Sequence, residues 1–229
     1  MSSFFDTWGS TMAYVLGYWF ADGNMYSQPS CGGYTVSIGS KDREHLEIMR
    51  VAIGLGRISV ITGSDVYKLV ICRKAMHESL ARLGGSERKS LTLTWPYVPD
   101  EHLPHLVRGY TDGDGCLTWH RSGRSIRPML TVIGTRSFVQ SLSCAVEAIT
   151  GIPAPLAHPH SPGKAHIRVA KWYGVHAKCL AIWLYQRHPG LALERKAILA
   201  EEFAHWQPKV FRKGRVTERM WELFGDHLP

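Results

Sequence analysis

The sequence predicts an α+β protein built from two copies of one αββαββα unit. Three observations predict it. Four short anchors recur in the same order in the two halves of the 229-residue chain. Apolar stretches of helical length end at glycine, as helices do. Between them lie short runs in which polar and apolar residues alternate, the period of a half-buried strand.

The anchors are these. Gly17-Tyr-Trp-Phe-Ala-Asp-Gly23 is matched by Gly109-Tyr-Thr-Asp-Gly-Asp-Gly115. Ile38-Gly-Ser-Lys41 is matched by Ile133-Gly-Thr-Arg136, Arg73 by Lys171 at the end of an alternating segment, and Glu87-Arg-Lys89 by Glu194-Arg-Lys196. Counted from Asp22, Gly39, Arg73 and Lys89 lie 17, 51 and 67 residues on; from Asp114, Gly134, Lys171 and Lys196 lie 20, 57 and 82 residues on. A repeat in register across four anchors is the mark of a duplicated unit.

In the first half, Met12 to Phe20 reads as a helix stopped at Asp-Gly, and Tyr34 to Ile38 as a strand. Ser40 is placed to cap a helix from Asp42 to Ile53, with Leu46, Met49 and Ile53 on one face. Strands over 57–61 and 66–72 flank the turn Thr62-Gly-Ser-Asp65, and a helix over 75–83 ends at Gly84-Gly85. The second half gives a helix ending at Gly115, strands over 116–120 and 128–133, and a helix capped by Thr135 running to Thr150. Strands over 156–160 and 165–170 and a helix from Tyr173 to Gln186 complete it. The Pro-containing stretch Trp95–Asp100 reads as the linker. The organisation is a first unit over 1–95, a second over 96–207 and a basic tail over 208–229, in which Thr217 could cap a short helix.

Hydrophobic residues make up 45 % of the chain, enough for a sizeable core. No apolar run approaches the roughly 20 residues of a membrane span, and the N-terminus lacks a secretory pattern. A cytoplasmic protein is expected, with an organellar host compatible. Cys31, Cys72, Cys116, Cys144 and Cys179 are odd in number and scattered, which argues against disulfides and structural zinc. The net charge of +8 favours a polyanionic partner. His158-Pro-His160 has no third ligand in sight and reads as a strand edge.

The two helix ends carry the chemistry. Val15-Leu-Gly-Tyr-Trp-Phe-Ala-Asp-Gly23 and Val107-Arg-Gly-Tyr-Thr-Asp-Gly-Asp-Gly115 resemble the motif of the LAGLIDADG homing endonucleases, over about residues 10 to 205. Both keep the glycine at position three, a small residue at seven, aspartate at eight and glycine at nine. The second also keeps Asp112 at position six, where the first has Phe20. Gly17 and Ala21, like Gly109 and Gly113, share a helix face, so two such helices can approach closely.

The resemblance implies that the two units pack through these helices and that their strands form a saddle in the DNA major groove. It implies divalent metal, Mg²⁺ with Mn²⁺ or Ca²⁺ as possible occupants, held at Asp22 and Asp114 with Ala21 and Gly113 completing the ligand positions. Hard oxygen donors suit such ions. It further implies a basic residue near each scissile phosphate: Lys89 and Lys196, with Arg73 and Lys171 competing for the role.

For DNA contact, alternation offers Thr35, Ser37 and Lys68 in the first unit, and Thr118, His120, Arg127, Met129 and Thr131 in the second. On the last strand it sets Lys164, His166 and Arg168 outward, opposite an inward Ile167 and Val169. Lys41, Arg73, Arg121, Arg124, Arg136 and Lys171 are further contacts, and the tail Lys209–Arg215 a phosphate-binding candidate.

The expected activity is site-specific cleavage of a long, partly pseudo-palindromic duplex by an intron-encoded monomer, with no membrane and no obligate protein partner. An RNA maturase, or a non-cleaving DNA-binding regulator on the same fold, is the alternative; retention of both acids favours the nuclease. The chain lacks an intein splicing signature.

Overall fold

A computed structural model of the chain describes residues 3–28, 30, 33–161 and 166–228. It divides into two compact units, Met1–Gly113 and Asp114–Pro229. The sequence places the division at residue 95. The difference is the helix of the second motif, which packs on the helix of the first and so belongs with it.

In the first unit, α1 (Ser10–Asp22) leads into β1 (Gly23–Gln28) and β2 (Gly33–Ser40). Then come α2 (Arg43–Ile53), β3 (Arg57–Val60), β4 (Tyr67–Ile71) and α3 (Lys74–Arg82), and after a coil α4 (Leu103–Asp114). The four strands form an antiparallel sheet in the order β1-β2-β4-β3.

Helix α1 is apolar all round, and Met12 to Phe20 are all buried, as expected of a helix enclosed on every side. It can be enclosed because Gly17 and Gly109 have no side chain. A Cβ at Gly17 would overlap the Leu106 carbonyl oxygen, and one at Gly109 the Tyr14 carbonyl oxygen. The backbones of α1 and α4 are therefore in contact, as the small residues predict. Helix α2 is amphipathic; it buries Leu46, Met49 and Ile53 and stops at Gly54, whose left-handed φ of 74° closes the last turn.

The second unit repeats the order: β5 (Gly115–Ser122), β6 (Ser125–Thr135), α5 (Arg136–Thr150), β7 (His158–Pro159), β8 (Ile167–Tyr173), α6 (Val175–Ala181). Its sheet, β5-β6-β8-β7, matches the first. Two helices extend it, α7 (Glu194–His205) and α8 (Glu218–Phe224). Thr135 caps α5 by accepting from the Phe138 amide at 3.2 Å, and Thr217 caps α8 by accepting from the Met220 amide at 3.2 Å, as the sequence predicts. Thr217 also donates to the Gly151 carbonyl, which ties the tail to the end of α5.

Four expectations are corrected. Ser40 does not cap α2: its hydroxyl accepts from Tyr18 and from the Asp42 amide, tightening the turn before a helix that starts at Arg43. Strand β1 went unread, its Asn-Met-Tyr-Ser-Gln being too polar to stand out. The strand expected over 156–160 shrinks to His158–Pro159, where proline limits pairing. The helix expected over 173–186 begins at Val175, after Gly174, and its last turn, Ile182–Gln186, is a π-helix.

Candidate metal centre and nucleic-acid interface

In the first unit, Asp22 is the last residue of α1 and its side chain is exposed. It sits where the helix dipole is negative, a setting that favours a cation. Gly113 lies against Ala21. A Cβ there would overlap the Ala21 methyl and come within 3.2 Å of an Asp22 carboxylate oxygen, so only glycine leaves the acid room.

Asp112, two residues before Asp114, has a different task. It is 1 % exposed, and the Tyr14 hydroxyl donates to it at 2.7 Å. Tyr14, having given its one proton, accepts from His45 Nε2 at 2.8 Å. The equally buried Arg108 lies over the Tyr14 ring. This chain of polar groups holds the α1–α4 seam. Phe20, the corresponding residue of α1, simply fills the core.

Lys89 is brought inward by its neighbours. Glu87 accepts from the amide and the hydroxyl of Ser27 on β1, which also holds its carboxyl below the usual range. Arg88 then takes a left-handed φ of 56°, strained for a residue with a Cβ. The turn points Lys89 into the protein, where it is 5 % exposed. Its ammonium donates to the Ala21 carbonyl at 3.2 Å and lies 5.2 Å from the centre of the Trp19 ring.

In the second unit, Asp114 is likewise exposed at the end of its helix. Lys196 is 5 % exposed and donates to the Gly115 carbonyl at 2.8 Å. Its Glu-Arg-Lys opens α7 rather than a strained turn, so one sequence anchor serves two backbone conformations. In each unit a buried lysine thus meets the backbone at the end of an acid-bearing helix. Within each unit, an exposed carboxylate with a backbone carbonyl oxygen nearby is the oxygen chemistry that a hard divalent cation takes. Of the two backbone positions expected to complete the ligand set, Ala21 and Gly113, the Ala21 carbonyl accepts from Lys89. Among the described residues no cluster of three or more His, Cys, Asp or Glu offers a rival metal site.

One face of each sheet packs on helices and the other is open. In the first unit Met25, Val36, Ile38, Leu69 and Ile71 are buried on the helix side. Strand pairing sets Thr35, Ser37 and Lys68 on the open face, as predicted, with Asn24, Tyr26, Arg57 and Ser59, which sequence reasoning missed. They become legible once Gly23 is known to open a strand, because the period of two then assigns every side chain.

In the second unit Leu117, Leu130, Val132, Ala170 and Trp172 face the helices. Thr118, His120, Arg127, Met129, Thr131 and Lys171 share the open face, together with Tyr173 and Cys116. The alternation on β8 is the reverse of the expected one. Arg168 lies on the face of Ala170 and Trp172, while Ile167 and Val169 lie on the open face with Lys171. The small Ala170 and the amphipathic Trp172 are the true inward residues, and hydrophobicity alone picked the wrong pair. His166 is an exposed turn residue before the strand, and Lys164 lies outside the described residues, as does Cys31.

Arg73 and Lys171 are not equivalents. Lys171 pairs with Thr131, which pairs with Cys116 beside the motif; the same row of the first unit is Asn24, Ser37 and Val70. Arg73 instead precedes α3, as Gly174 precedes α6. Lys41 is bound in an exposed ion pair with Asp65 at 2.7 Å, which keeps that carboxyl low. Arg121, Arg124 and Arg136 are exposed, the first two at the β5–β6 hairpin.

No protein-family profile and no curated protein sequence matches the chain. Solved structures do. I-DmoI in complex with DNA and Ca superposes with a TM-score of 0.58 at 16 % identity, covering 82 % of this chain and 96 % of that one. The LAGLIDADG meganuclease I-AabMI, bound to uncleaved DNA, gives 0.59 at 12 % identity, over 83 % and 87 %. The meganuclease I-SmaMI, bound to uncleaveable DNA, gives 0.58 at 14 % identity, over 83 % and 88 %.

Proposed function

We propose that this chain, whose fold is that of the LAGLIDADG homing endonucleases, is a site-specific double-stranded DNA endonuclease that works with a divalent metal ion. The observation that carries the proposal is the doubled site: an exposed aspartate ending a motif helix and a buried lysine on the adjoining backbone, once in each unit. A protein that only bound nucleic acid would need basic side chains on its surface. It would have no use for two ammonium groups taken out of water at considerable desolvation cost.

Asp22 and Asp114 are the residues to hold the metal, Mg²⁺ under cellular conditions, with Mn²⁺ or Ca²⁺ able to occupy the same oxygens. Bound there, the ion supplies Lewis acidity for hydrolysis of a phosphodiester. The protein's own groups do the rest. Lys89 and Lys196, anchored to carbonyls and shielded from bulk water, present a fixed positive charge toward the phosphate, which counters the charge that develops on its oxygens. Trp19 beneath Lys89 restricts where that ammonium can go. The open sheet faces, with Lys68, Arg127 and Lys171, bind the duplex, and Arg121, Arg124 and the tail reach phosphates. Because one chain carries both acids, the enzyme acts as a monomer.

A library of randomised duplexes incubated with the protein and Mg²⁺, followed by sequencing of the cut ends, tests this. Recovery of one recurrent site cut in both strands supports the proposal. Selection of a site that stays uncut under Mg²⁺ or Mn²⁺ would mean a DNA-binding regulator, and preference for a structured intron RNA a maturase.

A further inference from the structure

On the open face of the second sheet three side chains are assembled into a unit. Arg127 on β6 pairs directly across from His120 on β5, and Tyr173 on β8 pairs with Met129, two residues further along β6. The Arg127 guanidinium carbon stands 4.7 Å from the centre of the Tyr173 ring. His120 meets the other side of the cluster, its ring 5.2 Å from that of Tyr173 and tilted by 62°. The Nε atom of Arg127 is shielded from solvent yet has no hydrogen-bond partner. A buried donor without an acceptor is costly, and the cost is relieved when a ligand supplies the acceptor. The corresponding row of the first unit holds Gln28 opposite Gly33.

We propose that Arg127, braced by Tyr173 and flanked by His120, reads a guanine in the half of the target bound by the second unit. The inference rests on the DNA-endonuclease reading. Three features set its chemistry. A guanidinium offers paired N–H donors in a rigid fork, and the O6 and N7 acceptors of guanine in the major groove are its matching partner. Stacking on Tyr173 fixes the plane of the fork before DNA arrives, so little side-chain entropy is lost on binding. Arg127 sits on β6, an interior strand with β5 on one side and β8 on the other, where a base edge would lie; phosphates are met by loops and rims.

The strand also fixes the distance. His120, opposite Arg127, lies five residues beyond Gly115, the first residue after the motif helix. At about 3.3 Å per residue this is roughly 17 Å, the rise of about five base pairs. The guanine is therefore expected about five base pairs from the cleaved centre. Tyr173, which the sequence reading set at the start of a helix and which instead ends β8, is a positioning residue acting through Arg127.

The test is selection of randomised duplexes without divalent metal, followed by competition binding and salt titration, for the wild type and four variants. Wild type should select guanine at one position about five base pairs from the centre of its site. Arg127→Ala should bind that site about ten- to a hundredfold more weakly and lose the preference there alone. Arg127→Lys keeps the charge and should also lose the preference, so a folding defect in the alanine variant leaves the inference testable. Tyr173→Phe should behave as wild type, whereas Tyr173→Leu should blur the preference. Retention of guanine by Arg127→Ala would overturn the inference and leave DNA binding intact. A uniform loss of affinity with a salt slope reduced by about 1 would make Arg127 a phosphate contact and overturn it equally. Failure of wild type to select any sequence would overturn the endonuclease reading itself.

Discussion

Replacing Gly17 by alanine should destabilise the protein, although on an open helix the same change would stabilise it by about 1 kcal/mol. The added methyl would overlap the Leu106 carbonyl oxygen and lie 2.9 Å from the Tyr110 nitrogen, and both are backbone atoms that no rotamer change can move aside. To restore ordinary contact the two helices must part by about 1.4 Å at that point, a gap that forfeits roughly half or more of the attraction across the seam. Overpacking of this kind costs about 1–3 kcal/mol, and more where backbone opposes it. With backbone opposing, the cost lies at the upper end, about 3 kcal/mol, and after the gain of about 1 kcal/mol in helix propensity the net loss is about 2 kcal/mol. For a chain of this size that lowers Tm by roughly 3–10 °C.

Gly109→Ala should cost a similar amount, its methyl meeting the Tyr14 carbonyl oxygen. The double variant should cost less than the sum, because one displacement of the helices relieves both overlaps. Gly214→Ala is the control: its φ is not left-handed and no atom lies within 4 Å of the added carbon, so Tm should hold. Thermal unfolding followed by circular dichroism measures all four. A Gly17→Ala protein that melts at or above the wild type would refute the close-packed seam.

Other outcomes follow from the same geometry. The affinity for DNA should fall steeply and linearly with salt on logarithmic axes, and Arg212→Ala should reduce the slope by about 1 if the tail binds phosphate; an unchanged slope removes the tail from the interface. Lys89→Met and Lys196→Met should each leave binding within about twofold while slowing cleavage by about a hundredfold or more, measured on a supercoiled plasmid carrying the target. In a Cys31→Ser chain, Cys72, Cys116 and Cys144 should react with a thiol reagent in the native state, and Cys179 only on unfolding. Burial raises the Cys179 thiol from 9.0 to about 12, so the folded state holds that proton more tightly. Its contribution to stability is fully present below pH 9 and is lost as pH rises toward 12. Urea midpoints should therefore fall more between pH 8.5 and 10.5 for this chain than when Cys179→Ala is added.

The duplicated order of elements was legible because the helices are amphipathic or stopped by glycine, and because Gly17 and Gly109 announce a close approach. The lysines were found by their place in a repeated anchor, although nothing in Glu-Arg-Lys says that one copy would be a strained turn and the other a helix start. The strand faces were legible where apolar residues are strictly alternate, as in β2. They failed on β8, where Ile167 and Val169 look like the helix-facing pair but Ala170 and Trp172 take that face, Val169 being buried on the other. A period of two carries no phase, and a one-residue error reverses every side chain. The Ile-Gly anchors show the same slip. Ile38 pairs with Gly23, whereas Val132, not Ile133, pairs with Gly115. The Tyr14–His45–Asp112 network and the Tyr173 brace join residues far apart in sequence, and no local pattern marks them.

The most direct measurement is of DNA binding and Mg²⁺-dependent cleavage by Asp22→Asn and Asp114→Asn, on a target recovered by selection. The amide keeps the shape of the carboxylate, and neither side chain is packed in the core, so the fold should persist. Affinity should be retained or rise, since a negative charge near the phosphates is gone. Cleavage should collapse in each single variant, because a neutral amide is a poor ligand for a hard cation. Full cleavage by the double variant would contradict the assignment of these two aspartates as the metal-holding acids.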